Sequence, residues 1–89
     1  MPTVIITHDV TDTDHWLASP KRAEVLPSLG VSNLRTYVNP QDRTKVGLSM
    51  DVADIDSFFA ALASPSDELA EAMKHDTVQP ETMTVLIEA

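Results

Sequence analysis

The chain contains no cysteine, which rules out a disulfide framework, a thiolate nucleophile and a thiolate zinc site. Stability must come from packing and association. Glycine occurs only at Gly30 and Gly47, so no glycine-rich phosphate loop exists. Aromatic residues are as scarce: Trp16, Tyr37, Phe58 and Phe59 are the complete set. No segment approaches the roughly 18 apolar residues of a membrane span, and the N-terminus Met1-Pro2-Thr3-Val4-Ile5-Ile6 lacks the basic segment and apolar run of a signal peptide. The expectation is a soluble, cytoplasmic protein. Positive charge is missing from one half: residues 1–50 carry five acids and five bases, whereas residues 51–89 carry nine acids and only Lys74. The formal charge of -8 is concentrated there. Phosphate backbones are held by clustered Lys and Arg, so neither nucleic acid nor an anionic membrane is an expected partner. A solvated acidic helical surface accounts for the charge.

With 89 residues there is room for one compact domain spanning positions 1–89, and so short a chain buries proportionally little surface on its own. Thr3 to His8 is rich in β-branched residues and reads as a first strand. Alternation puts Val4, Ile6 and His8 on one face and Thr3, Ile5 and Thr7 on the other, so His8 continues an apolar stripe. Asp12 supplies cap chemistry for a helix beginning near Thr13, with Asp14 in its first turn and Trp16 and Leu17 on its apolar side. Ser19-Pro20 interrupts that helix; Ser19 is expected to cap a second segment running through Ala23, Val25 and Leu26, with Pro27 and Gly30 ending it.

Val31 to Val38 and Thr44 to Met50 read as a β-hairpin around the turn sequence Asn39-Pro40-Gln41-Asp42-Arg43. Asp54 caps a helix whose Ile55, Phe58, Phe59 and Leu62 recur at helical spacing. Ser64-Pro65 is expected to start another segment with Leu69, Ala72 and Met73 on one side, ending near His75. Pro80 separates it from a last strand over Thr82 to Glu88, in which Met83, Val85 and Ile87 share a face. The order is β, broken α, β, β, broken α, β. Two βαβ units of the same hand give an α+β fold: ferredoxin-like βαββαβ, a four-stranded antiparallel sheet with helices on one face. No element is left to cover the other face, and a second copy's sheet is the simplest cover, giving a homodimer.

Val4-Ile5-Ile6-Thr7-His8-Asp9-Val10, followed by Asp12, Asp14 and Trp16, resembles the opening of small dimeric α/β barrel proteins related to antibiotic biosynthesis monooxygenases and polyketide cyclases. Leu34-Arg35-Thr36-Tyr37 is similar to their second strand, and Ala63-Ser64-Pro65, Glu68-Leu69, Glu71-Ala72-Met73 and the terminal strand look like their closing helix and strand. The resemblance implies a ferredoxin-like protomer, a sheet-to-sheet homodimer and a pocket in each protomer between sheet and helices. It also implies one of two roles. The first is binding of a small apolar or aromatic, polyketide-like molecule with cofactor-independent oxygenation or cyclisation. The second is a non-catalytic homodimeric ligand carrier or interaction protein. The fold by itself does not choose between them.

His8, near the end of the first strand, is the leading candidate for a base that exchanges a proton near neutral pH. The competing reading is a histidine satisfied by the backbone or by Asp9. Tyr37 and Arg35, two residues apart and on one face, are candidates for holding an enolate or carboxylate, Arg35 alternatively pairing with an acidic helix across a dimer. Trp16, Phe58, Phe59 and Met73 are candidate pocket walls, although helical spacing and bulk make core packing the simpler reading for each. His75 falls at a helix C-terminus, where an imidazole caps free carbonyls; the resemblance alone keeps it among the site residues. His8, Asp9, Asp12, Asp14 and His15 form no HxxxH, HxH or facial-triad spacing, so no metal is expected. The asparagine, tryptophan and histidine set of the haem-degrading relatives has no matching context here, so no haem or other cofactor is expected.

Overall fold

A computed structural model describes residues 2–89. The elements follow the expected order: β1 (Thr3–Val10), α1 (Thr13–Ala18), α2 (Lys21–Val25) with a 3-10 turn over Leu26–Leu29, β2 (Val31–Val38), β3 (Lys45–Val52), α3 (Ile55–Ala63), α4 (Asp67–His75) and β4 (Val78–Ile87). The four strands form one antiparallel sheet in the order β2-β3-β1-β4. The two strands that follow the helical crossovers, β2 and β4, thus lie at the edges, as two βαβ units of one hand require.

Alternation decides what each strand buries. Val4, Ile6, His8 and Val10 of β1 point toward the helices, as do Val46, Leu48, Met50 and Val52 of β3, which pair with them residue by residue or lie beside them. All of these side chains but His8 join Trp16, Leu26, Val31 and Phe58 in one apolar core. Val25, Leu69 and Ala72 form a smaller cluster where α2 meets α4. The opposite sheet face carries Thr3, Ile5, Thr7, Lys45, Gly47, Ser49, Asp51 and Leu86, and Ile5 and Leu86 are 41 % and 53 % exposed.

Local chemistry fixes the helix ends. Asp12 accepts from the His15 amide and Asp54 from the Ser57 amide, each satisfying one of the free donors of a first turn. Gly30 closes the broken first helical region at a φ of 77°, a left-handed conformation that glycine adopts without a Cβ penalty.

Several boundaries differ from expectation: β1 runs on to Val10 and β3 spans Lys45–Val52. Ser64 is the C-cap of α3 rather than the cap of the next helix. That role falls to Ser66, whose hydroxyl accepts from the Leu69 amide, because Pro65 holds the chain extended between the two helices. At the second break Pro20, not Ser19, occupies the N-cap position, although the Ser19 hydroxyl still accepts from the Lys21 amide. Pro27 does not end the helical region but sits in the first turn of the 3-10 segment, where its missing amide is no loss.

The last strand begins at Val78 rather than Thr82 and runs through Pro80. Its pairing with β1 is irregular between Thr7 and Asp9, and the Asp9 amide donates to the Thr82 hydroxyl at 2.8 Å in place of a strand carbonyl. An edge strand with a bulge is where a proline is tolerated in a sheet. A second irregularity, with Asn33 at a φ of 52°, interrupts β2 against β3 between Ser32 and Arg35.

Candidate functional site

His8 is 4 % exposed although it is polar, and it sits at the end of the apolar stripe of β1 with α1 above it. Its ring meets Trp16 edge to face, with centroids 5.8 Å apart and planes at 80°. The Nδ1 atom lies 3.3 Å from the carbonyl oxygen of Asp9. A carbonyl oxygen only accepts, so Nδ1 carries the proton and Nε2 presents a lone pair. Among the described residues no fully buried side-chain nitrogen or oxygen lacks a hydrogen-bond partner. Nε2, which has no hydrogen-bond partner, is therefore not completely sealed in the core. Burial, more than any other influence, pushes the His8 pKa below its ordinary value, and the nearby positive charge of Arg22 acts in the same direction against a raising contribution from the Asp9 carbonyl. At neutral pH the imidazole is neutral.

Trp16 is held by Arg22, the first-turn arginine of α2. The guanidinium carbon stands 4.2 Å from the centre of a Trp16 ring, and Nη1 donates to the Trp16 carbonyl at 2.6 Å. Both contacts cross the Ser19-Pro20 break, which folds α2 back toward α1. The same nitrogen, Nη1, stands 3.5 Å from Oδ2 of Asp76, whose side chain is 3 % exposed just beyond the end of α4. Desolvation lowers the Arg22 pKa, and the Asp76 charge opposes it. His8, Trp16, Arg22 and Asp76 thus form a polar seam running from the sheet to the C-terminal end of α4. It borders a narrow slot of about 70 Å³, walled otherwise by Ile6, Leu48, Leu69, Met73 and Met83.

The remaining candidates distribute differently. Arg35 and Tyr37 lie opposite Ser49 and Gly47 of β3, which places both on the open face of the sheet, across the strands from His8. The Tyr37 hydroxyl is 2.9 Å from the Ser49 hydroxyl, and the residue is 50 % exposed. They share a face, as their spacing predicts, but the structure does not bring them to Trp16. Instead, Tyr37 borders a broad groove of about 580 Å³ on the open face with Ile5, Thr7, Asp9, Asn39 and Lys45, and His8 lies at its inner edge.

Phe58 is wholly buried in the main core and Phe59 packs beside it, their ring centres 6.2 Å apart; neither lines the slot. Met73 does line it. His75 is exposed beyond the end of the seam, with Nδ1 3.0 Å from Asp76 Oδ1.

Arg22 and Asp76 were not among the residues singled out from sequence. Arg22 lies six positions from Trp16 across a helix break, and Asp76 follows a helix end. Their only legible signal is that each is a charged residue beside an apolar stretch.

No known protein-family profile matches the chain, and no curated protein sequence matches it significantly. Its architecture is similar to that of solved structures over nearly its whole length. A proposed antibiotic biosynthesis monooxygenase from Bordetella bronchiseptica superposes with a TM-score of 0.70 at 16 % identity, covering 99 % of this chain and 94 % of that one. Another from Nitrosomonas europaea gives 0.64 at 14 % identity, with 100 % and 97 % covered. An ethyl tert-butyl ether D family protein from Bacillus halodurans gives 0.57 at 16 % identity, with 100 % and 98 % covered. Identities this low speak for architecture and not for chemistry. The chain has the ferredoxin-like α+β fold of the antibiotic biosynthesis monooxygenase-like proteins.

Proposed function

We propose that this protein works as a homodimer that takes a small, largely apolar or aromatic, polyketide-like molecule into the slot beneath His8 and oxygenates or cyclises it without a cofactor. The observation that supports this reading is a neutral histidine whose Nε2 is unpartnered, at the border of a largely apolar slot, beside an aromatic wall and a cation. A base in that setting removes a proton from an enol, a phenol or a carbon beside a carbonyl. Arg22 offers positive charge for the oxygen of the resulting enolate, the role first sought in Arg35. In an oxygenase the enolate carbon then meets dioxygen; in a cyclase it closes on a second carbonyl of the same substrate.

The slot of about 70 Å³ is smaller than the roughly 300–1,000 Å³ of a ligand pocket, so a substrate enters by moving its wall. Met73 and Met83 stand in that wall, and unbranched methionine side chains rearrange at small cost. The homodimer is supported by the open sheet face. Ile5, Tyr37 and Leu86 are exposed on it among small polar residues, and the helices all lie on the other side. A second copy laid sheet to sheet covers these side chains and encloses the groove beside Tyr37.

The reading is tested with the purified dimer and a dihydroxynaphthalene or a linear aromatic polyketone as probe. Trp16 is the sole tryptophan and lies in the slot wall, so binding quenches its fluorescence, and turnover is followed by oxygen uptake or by loss of one water in the product mass. His8→Ala is expected to retain quenching and to lose turnover. Turnover unchanged by His8→Ala refutes the assignment of the base. Absence of both quenching and turnover across the two probe classes refutes the enzyme reading and leaves the non-catalytic carrier or interaction protein.

A further inference from the structure

The seam from His8 to Asp76 ends on the surface in a cluster that no sequence spacing foreshadows. His15 belongs to the middle of α1, whereas His75 is the last residue of α4 and Asp76 follows it. The fold sets the two imidazoles against each other, with ring centres 4.7 Å apart and planes tilted by 44°. His15 Nε2 lies 2.8 Å from the His75 carbonyl oxygen, and His75 Nδ1 lies 3.0 Å from Asp76 Oδ1. One nitrogen from each histidine and one Asp76 oxygen lie within 4.8 Å of one another.

We propose that His15, His75 and Asp76 form a binding site for a divalent transition cation, which ties α1 to the C-terminal end of α4. Two imidazoles and a carboxylate suit a borderline-soft cation such as Zn2+, which takes its ligands at about 2.0–2.2 Å and leaves a fourth position to water. Ligand atoms around such an ion stand about 3.3 Å apart, so the cluster has to contract by about 1.5 Å at its widest separation.

The structure makes that contraction cheap. Both histidines are exposed, and their rings turn without opening the core. The carboxylate is the fixed member: Asp76 is buried, and its Oδ2 is held by Arg22 while Oδ1 faces His75. A carboxylate anchored through its far oxygen is the arrangement that orients a metal ligand. The proton that each ring holds toward the cluster moves to its solvent-facing nitrogen, which costs an exposed imidazole no burial.

The surrounding charge favours a cation over an anion. Next to His75 a groove of about 210 Å³ is bordered by Glu24, Glu68 and Glu71 against Lys21 alone. The carbonyl end of the α4 dipole adds negative partial charge. Lys74, on the same last turn, and Arg22 behind Asp76 oppose it.

The test is calorimetric titration of the folded full-length protein with ZnCl2 in a non-chelating buffer, paired with the visible absorption of Co2+ as a probe of coordination. The expected result is saturable binding of one cation per chain, with the intense bands of a four-coordinate Co2+ complex. His15→Ala and His75→Ala should each weaken binding by about 10–100-fold, and the double variant should abolish saturable binding. Their circular dichroism should be unchanged, because both side chains lie on the surface. Glu71→Gln, which touches the groove but not the cluster, should weaken binding by no more than a few-fold. Binding that survives in the double variant, a stoichiometry of one cation per two chains, or no saturable heat at all would each overturn the proposal.

Discussion

Replacing Asp76 by asparagine should destabilise the protein substantially, because it strips the counter-charge from a guanidinium that the fold has taken out of water. The Arg22 and Asp76 side chains are 12 % and 3 % exposed and stand 3.5 Å apart. Breaking a buried pair by removing one partner costs about 3–5 kcal/mol. Two features of this pair reduce that figure. The Nη1 to Oδ2 separation is longer than that of a direct charge-assisted hydrogen bond. Arg22 also keeps its bond to the Trp16 carbonyl and its place over the indole ring. Asp76→Asn is therefore expected to cost about 2–3 kcal/mol.

Urea unfolding at fixed protein concentration reads this directly. With a slope of about 1 kcal/mol/M for so small a chain, the midpoint should fall by about 2–3 M. The mechanism is separable from mere loss of packing by a double-mutant cycle with Arg22→Met. In that background no buried cation remains to be stranded, so Asp76→Asn should cost less than about 1 kcal/mol. An equal loss in both backgrounds would show that Asp76 acts through its contacts with His75 and the end of α4, and would refute the reasoning about the stranded charge.

Two further outcomes follow from the same structure. The lowered pKa of His8 means that its contribution to stability is fully present above pH 6.5, its ordinary value, and is lost as the pH falls from there through its folded-state value. A series of urea midpoints between neutral and mildly acidic pH should decline less steeply for His8→Leu than for the wild type, and parallel curves would contradict it. The carboxylates of Asp42, Asp51 and Asp54, held low by hydrogen bonds from Thr44, Asn33 and Ser57 respectively, act in a separate window below about pH 4. Ser66→Ala should cost about 1 kcal/mol through loss of the bond from the Leu69 amide, whereas Ser64→Ala should change stability by only a few tenths. Equal effects on the thermal midpoint would put the helix start back at Ser64.

Much of the fold could be read from local chemistry. Val4, Ile6 and His8 alternate with Thr3, Ile5 and Thr7, and that parity by itself set which face of β1 is buried. Asp12 and Asp54 announced their helices because a carboxylate followed by an apolar period has few other uses. The errors fell where two local signals competed. Ser64 and Ser66 flank Pro65 with equal cap chemistry, and only the path of the chain between α3 and α4 chose Ser66. Pro80 argued for a loop, yet β4 is an edge strand with a bulge and keeps it.

The candidate site was half legible for a related reason. Periodicity assigns a residue to a face of its own element, and it did so correctly for His8 and for the Arg35 and Tyr37 pair. It carries no information about which faces of different strands look the same way. That depends on the pairing register, in which Tyr37 sits opposite Gly47 and His8 opposite Val46, one residue along β3 and hence on opposite sides of the sheet. The sequence on its own determined the element order, the buried stripe of each strand and the apolar faces of the helices, since these are set by neighbours within a few residues. Only the tertiary structure decided that Arg22 and Asp76 would close over Trp16, that Tyr37 would face away from His8, and that His15 would meet His75 across 60 residues of chain. Contacts at that separation are fixed by how whole elements pack, which no local pattern of side chains encodes.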